Sequence, residues 1–150
     1  MDDTDRRILR QLQERPDMSI MDLAAAVGLS HTPCWRRVKR LKSEGVIQGY
    51  RLLLDEKKLG FAINVMASIR LEKHDEETFA AFEEQICAHP QIMDCCMLSG
   101  ESDFLVRVAA KDMEDYELLL KGTLHRLPGV ASVSSNFAIK FVKAHADYPV

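Results

Sequence analysis

The feature that most constrains the fold is a run of three helical patterns in the first 45 residues, the last two separated by a glycine. Apolar residues recur at helical spacing from Thr4 to Gln13, and Pro16 ends this first helix. Ser19 is suited to N-cap a short second helix, and Gly28 to end it in a left-handed conformation. This order predicts a helix-turn-helix.

The third helix is predicted to begin after Ser30 and to end at Gly45. Its apolar residues Cys34, Val38 and Leu41 follow the spacing i, i+4, i+7 and are expected to face the core. The predicted DNA-contact set consists of the N-cap Ser30 and nearly all the polar, basic and aromatic side chains of the helix. Its members are Ser30, His31, Thr32, Trp35, Arg36, Arg37, Lys39, Arg40 and Lys42.

Charge supports this prediction locally, although the net charge of the whole chain is −3. Residues 1–50 hold nine Lys/Arg and seven Asp/Glu, whereas residues 51–150 hold eleven and sixteen. The segment from Ser30 to Lys42 has five basic residues and no acidic one. Binding to double-stranded DNA requires a local positive surface of this kind, but a solvated basic helix face is the simpler alternative.

The roles within this set differ along the helix. Residues in its N-terminal half are expected to meet base edges: His31, Thr32 and Arg36. Residues further along are expected to contact phosphates: Lys39, Arg40 and Lys42. Arg37 shares a side with Cys34, so an internal pairing competes with a DNA contact, and Trp35 either stacks near DNA or packs locally.

Residues 46–50 and 51–54 are predicted to form two short strands around Gly49, as in the wing of a winged helix. We therefore expect a DNA-binding domain at 1–50, a wing strand and linker at 51–60, and a second domain at 61–150.

In the second domain, the spacing of apolar residues changes from that of a helix to that of a strand. Residues from Ile63 to Leu71 alternate apolar and polar, which is typical of a half-buried strand. This strand is followed by a helix capped by Asp75, strands at 92–98 and 104–110, a helix capped by Asp112 and a last strand reaching Phe141. The order βαββαβ predicts a ferredoxin-like α+β domain with two helices on one sheet face. The other face favours self-association, at least as a dimer.

Inward side chains are also predicted. Those of the last helix are Met113, Tyr116, Leu120 and Leu124, and the four cysteines are expected to be reduced and mostly buried. Cys87 extends a helix stripe, and of adjacent Cys95 and Cys96 one is expected to face inward.

Several segments in correct order resemble the Lrp/AsnC family of transcription regulators. They are Asp5 to Leu9, Leu23-Ala24 with Val27 to Ser30, Thr32 to Leu41, Gly45 to Ile47 with Tyr50, Gly100 with Asp103, and Leu127 to Val130. The resemblance implies a winged helix-turn-helix followed by an effector domain, often called the RAM domain. It also implies dimers that assemble further, commonly into octamers, and a small-molecule effector, usually an amino acid.

The resemblance places the effector cleft near the turn between the second and third strands, between effector domains of neighbouring dimers. Asp103 is the expected acceptor for an α-ammonium group, although Gly100 and Asp103 also suit a tight hairpin alone. The transferred effector set is Ser99, Gly100, Glu101, Asp103, Ser132, Ser134 and Ser135.

Three other functions compete with that of a sequence-specific regulator. An enzyme similar to siroheme decarboxylases is disfavoured because no nucleophile–base pair appears, so no catalytic residue and no cofactor are assigned. A metal or redox sensor using Cys87, His89, Cys95 and Cys96 is disfavoured, and no metal is assigned. An effector-independent nucleoid-organising protein remains the main alternative. The polar N-terminus and the lack of a long apolar run predict a cytoplasmic, nucleoid-associated protein without membrane contact.

Overall fold

The computed structural model describes residues 1–150, which group into two compact units. Residues 1–53 and 143–150 form one, here called the helical unit, and residues 54–142 form the other, the sheet unit. The predicted second domain, 61–150, includes residues 143–150. In the structure these residues group with the helical unit and not with the sheet.

The helical unit contains three helices: α1 (Asp3–Glu14), α2 (Ile20–Ala26) and α3 (His31–Ser43). The Ser19 hydroxyl accepts a hydrogen bond from the backbone N–H of Asp22, which confirms the predicted cap of α2. Gly28 and Gly45 adopt φ angles of +70° and +73°, as expected of residues that terminate helices. The three helices share one apolar core, which includes the three predicted residues of α3. Its buried residues are Ile8, Leu12, Leu23, Ala24, Val27, Cys34, Val38 and Leu41.

The C-terminal segment of the helical unit lies against α1. The side-chain amide of Gln13 donates to the carbonyl of Tyr148 at 3.1 Å and accepts from its N–H at 2.7 Å. Arg10 Nε donates to the carbonyl of Val150 at 2.5 Å. Together with residues 46–49, this segment borders an apolar groove of about 460 Å³.

The predicted wing strands at 46–50 and 51–54 are absent, since no strand occurs before Ile63. The Ile47 N–H is instead bonded to the carbonyl of Leu41, at the end of α3. Leu52, Leu53 and Leu54 are exposed. The two apolar runs adjoin with only Gly49 as a possible turn, and an isolated two-stranded hairpin is marginally stable without a surface to cover it.

The sheet unit has the predicted βαββαβ order. Its elements are β1 (Ile63–Leu71), α4 (Glu76–Ala88), β2 (Ile92–Met97), β3 (Phe104–Ala110), α5 (Met113–Gly122) and β4 (Val130–Phe137). All neighbouring strands are antiparallel, and the sheet order is β2-β3-β1-β4. The carboxylates of Asp75 and Asp112 cap α4 and α5, as predicted.

The two faces of the sheet differ. Val65, Ala67 and Ile69 of β1 are buried beneath side chains of the two helices, among them Phe82 and Tyr116. Alternate residues of the same strands lie on the opposite face, here called the open face. On it, the Arg107 guanidinium donates to the carboxylates of Asp94 at 2.6 Å and Glu56 at 2.9 Å, and to the side-chain amide oxygen of Asn64 at 3.2 Å.

Two details of the predicted elements are wrong. β4 ends at Phe137, and Ile139 and Phe141 lie beyond it, because its partner β1 begins at Ile63 and the last pairing is Ala138 N–H to the Asn64 carbonyl. In α5, Met113 is exposed and Leu119 is buried in its place, since the apolar side of this helix centres on Tyr116 and Leu119.

The expectation of mostly buried thiols is also wrong, since only Cys34 is buried. All four cysteines are free, and Cys87, Cys95 and Cys96 are exposed. Cys87 follows the buried Ile86 and points about 100° around the helix from it. Cys95 pairs with buried Val106, but β2 is an edge strand and leaves the residue open to solvent.

No helix of the chain is long and apolar enough to cross a membrane.

Candidate DNA interface and effector region

The predicted DNA-contact residues of α3 lie on its solvent side. Cys34, Val38 and Leu41 hold the helix against the core, and all three are at most 5% exposed. Exposed side chains are those of Ser30, His31, Thr32, Trp35, Arg36, Lys39, Arg40 and Lys42. Arg37 is the one member of the predicted set that is only partly exposed. The helix therefore presents a continuous polar and basic surface, as a recognition helix requires.

Aromatic rings support two of the lysines. Lys39 Nζ lies 5.0 Å from the centroid of the Trp35 ring, and Lys42 Nζ lies 5.1 Å from that of Tyr50. Such cation–π contacts hold the ammonium groups at defined positions without neutralising their charge. Trp35 thus has a local partner, while 44% of the residue remains exposed.

Two arginines of α3 are held by acidic residues at the start of α1, and we call Asp2, Asp5, Arg37 and Arg40 the aspartate clamp. Arg37 donates to Asp2 at 2.6 Å and to Asp5 at 2.8 Å. Arg40 donates to the other carboxylate oxygen of Asp5 at 2.6 Å. Asp2 and Asp5 also cap each other, each accepting from the other's backbone N–H at 2.9 Å.

The electrostatics of the clamp keep both carboxylates ionised. Burial acts to raise the pKa of Asp5, but the Asp2 N–H and the two guanidinium groups outweigh it and leave that pKa below its usual value. The backbone N–H of Asp5 and the Arg37 side chain lower the pKa of Asp2 to about 2. The internal pairing proposed for Arg37 is therefore present, and Arg40 takes part in it as well.

The cations of α3 fall into two groups. Arg37 and Arg40 are bound to carboxylates of α1, and Arg40 also lies 3.7 Å from Glu44. Arg36, Lys39 and Lys42 form no ion pair within the chain. These three are the uncommitted positive charges of the surface, available to phosphates or base edges.

The predicted effector turn connects β2 and β3. Ser99, Gly100 and Glu101 are exposed, whereas the side chain of Asp103 is 19% exposed. Asp103 accepts from the Leu71 N–H at 2.7 Å through one oxygen and lies 2.8 Å from His74 Nε2 through the other. Its own N–H donates to the Ile69 carbonyl at 2.9 Å. Asp103 therefore joins the turn to the end of β1.

Asp103 remains chemically competent to bind a cation. The hydrogen bond from the Leu71 N–H, with His74 and the charge of Arg70, lowers the pKa of Asp103 below its usual value. Each carboxylate oxygen has two acceptor positions and uses one here. The carboxylate is ionised near neutral pH and has acceptor positions left for an ammonium group.

The three predicted serines of β4 do not converge on one point. Ser132 pairs with Arg70 and Ser134 with Ser68, both on the open face. Ser135 faces the helices, and its hydroxyl lies 2.5 Å from that of Tyr116. This pair belongs to a groove of about 620 Å³ between α5 and β4, which Phe137 also lines. Strand alternation separates Ser135 from the other two.

Sequence reasoning missed several residues at these sites. In the helical unit it overlooked Asp2 and Asp5, and near the effector turn it overlooked Arg70 and His74. The predicted topology contained a signal for the last two, because antiparallel β1 and β3 bring the end of one strand to the start of the other. No group of three or more His, Cys, Asp or Glu side chains in residues 1–150 is arranged to hold a metal ion.

Comparison with known proteins supports both units. A winged helix-turn-helix DNA-binding family matches residues 1–48, and the Lrp/AsnC ligand-binding domain family matches residues 64–148. The Bkd operon transcriptional regulator of Pseudomonas aeruginosa is 43% identical over 150 residues, covering 100% of this chain and 98% of that protein. The leucine-responsive regulatory protein of Haemophilus influenzae is 40% identical, covering 95% of this chain and 86% of that protein.

Solved structures show the same architecture. An AsnC family regulator from Agrobacterium tumefaciens superposes with a TM-score of 0.93 at 37% identity, covering 99% of this chain and 97% of that one. The Neisseria meningitidis regulator NMB0573, in complex with L-methionine, superposes with a TM-score of 0.94 at 28% identity, covering 99% and 96%. The chain is a transcriptional regulator with a DNA-binding and a ligand-binding domain, and it belongs to the Lrp/AsnC family.

Proposed function

We propose that this regulator binds double-stranded operator DNA as a homo-oligomer, through the exposed face of α3, and that an amino acid bound to its sheet unit changes operator occupancy. The observation that carries the proposal is the division of α3 into a buried apolar side and an exposed side with no acidic residue. A side chain must project freely from such a helix to reach base edges in the major groove.

The contacts to DNA divide by position on the helix. His31, Thr32 and Arg36 lie in the N-terminal half of α3, which enters the groove first in helix-turn-helix proteins. Lys39 and Lys42 are supported by aromatic rings and are suited to phosphates. Two copies of α3 in a dimer would read half-sites about one helical turn of DNA apart.

The effector proposal rests on the chemistry around Asp103. An ionised carboxylate with free acceptor positions is suited to an α-ammonium group, and Arg70, one strand away, is suited to a carboxylate. Ser132 pairs with Arg70 at the same end of the sheet. The L-methionine bound by the N. meningitidis regulator supports an amino acid as the ligand class.

Self-association would bury apolar side chains that one chain leaves exposed. Leu52, Leu53 and Leu54 are 60–79% exposed, and Ile139 and Val142 exceed 90%. Large apolar side chains left this exposed favour contact with another protein chain. We propose a homodimer that assembles further, to an octamer, with the effector between sheet units of neighbouring dimers.

The same proposal assigns the protein no enzymatic reaction and no cofactor, since its relatives are regulators. Acting on chromosomal DNA, it would reside in the cytoplasm in association with the nucleoid. An effector-independent nucleoid-organising role is the competing function, and it shares the DNA surface. The two differ in whether an amino acid changes DNA binding.

The DNA role is tested by selecting duplexes from a random library with the wild-type protein and measuring affinity by fluorescence anisotropy. Arg36→Ala should weaken binding to the selected duplex by about 1–3 kcal/mol and relax selectivity. Arg126→Ala, which removes an exposed arginine of the sheet unit, is the matched control. Equal affinities of the two variants would refute the role of Arg36.

A further inference from the structure

Asp5 is the one charged residue of the chain that is fully buried. A buried carboxylate is costly unless donors surround it, and Asp5 has three: the Asp2 N–H, Arg37 and Arg40. The rest of the core between the helices is apolar. The sequence thus places its single buried charge at the contact between α1 and the recognition helix.

The contact fixes α3 at two points. Arg37 and Arg40 are three residues apart on the same side of the helix, and each bonds a different oxygen of Asp5. Apolar packing by Cys34, Val38 and Leu41 resists separation of the helices but has no directional bonds. Charge-assisted hydrogen bonds are directional, so they define the rotation of α3 about its axis.

We propose that Asp5 is a positioning residue for DNA reading, which rests on the DNA-binding function proposed above. By holding Arg37 and Arg40, it fixes the rotation of α3 and so the direction in which Thr32 and Arg36, on the side away from the apolar core, project toward the base edges. Arg37 is then a structural residue, and only the exposed side of Arg40 meets DNA.

Removing the charge of Asp5 has two opposed consequences. In Asp5→Asn the two arginines lose their common anion, so the surface becomes more positive and binding to DNA of any sequence is maintained or strengthened. The rotation of α3 is less defined, so affinity for the selected sequence falls. A residue needed only for folding would weaken both kinds of binding together.

The test measures the ratio of affinities for a duplex selected with wild-type protein and for its scrambled sequence. Asp5→Asn should lower this ratio by about tenfold or more. Asp3→Asn removes the same charge from the same helical turn at an exposed position, and should leave the ratio unchanged. A ratio for Asp5→Asn equal to that of Asp3→Asn would overturn the proposal.

Asp2→Asn provides a second variant if Asp5→Asn does not fold. Asparagine retains the N-cap, and Asp2 is exposed, but the 2.6 Å ion pair with Arg37 is weakened. Its ratio should lie between those of wild type and Asp5→Asn, and a ratio equal to that of Asp3→Asn again contradicts the inference. If wild-type protein selects no sequence at all, the DNA-binding proposal itself fails.

Discussion

The helical and sheet units use polar residues in contrasting ways. In the helical unit, one rigid helix presents its candidate contact residues together on one exposed face. In the sheet unit, the candidate residues are distributed over a turn, the open face and a groove on the other face. Asp103, the most buried of those in the turn, is bonded within the chain through both carboxylate oxygens.

We infer from this contrast that, under the proposed function, one chain carries the surface for one DNA half-site but only part of the effector site. A surface that reads a rigid partner benefits from side chains fixed in advance. A ligand that changes an equilibrium must instead bind one state of the protein better than another. A site that is completed only by assembly meets that requirement, because the ligand then favours the assembled state.

The largest predicted effect concerns the packing that holds the sheet unit. Gly129 has a φ of +73°, and an added Cβ would overlap Thr78 Cγ2. Gly129→Ala should destabilise the unit by about 2–4 kcal/mol through backbone strain and overpacking. Gly100→Ala in the effector turn is the control, since nothing lies within 4 Å of its Cβ position. Similar melting temperatures for the two variants would contradict this account of Gly129.

A second prediction separates structure from recognition within α3. Arg37→Ala should lower the free energy of unfolding by about 1–3 kcal/mol, because it leaves Asp5 with one guanidinium partner. Arg36→Ala should leave stability unchanged, since Arg36 is exposed and unpaired. Urea denaturation of both variants decides the matter, and an Arg37→Ala protein as stable as Arg36→Ala would show that the clamp adds no stability.

Sequence patterns predicted these regions to different depths. The spacing of Cys34, Val38 and Leu41 identified the buried side of α3 because an amphipathic helix encodes its orientation locally. The same reasoning could not find Asp5 as a partner of Arg37, since the contact joins residues 32 apart.

Errors in the prediction arise where a strand depends on a partner. The end of β4 is set by the start of β1, and no local pattern in residues 138–141 records that limit. Alternation in β4 correctly separates Ser134 from Ser135, yet the transferred effector set contains both. The exposure of Cys95 follows from the edge position of β2, which is a property of the whole sheet.

A smaller effect is expected in the salt dependence of DNA binding. Lys39→Ala removes one uncommitted charge and should reduce the slope of log affinity against log salt by about 1. Lys111→Ala, an exposed lysine of the sheet unit, should leave the slope unchanged. A Lys39→Ala slope equal to that of wild type would exclude this lysine from phosphate contact.

The smallest effect is a pH dependence of stability. The pKa of Asp5 is lowered in the folded state, so its contribution is present above the unfolded value of about 4 and is lost as pH falls through the folded value. The difference in melting temperature between wild type and Asp5→Asn should therefore shrink between pH 5 and pH 2. A difference that stays constant over that range would contradict the assigned ionisation, and Asp3→Asn serves as the charge-matched control.

Fluorescence anisotropy with the selected duplex, in the presence of each of the twenty amino acids, decides whether an amino acid bound to the sheet unit controls the α3 surface. We expect at least one of them to shift the affinity of the wild-type protein for the duplex. Asp103→Ala should retain its DNA binding in the absence of ligand and lose the shift. A wild-type affinity that no amino acid changes would contradict the claim and favour the nucleoid-organising function.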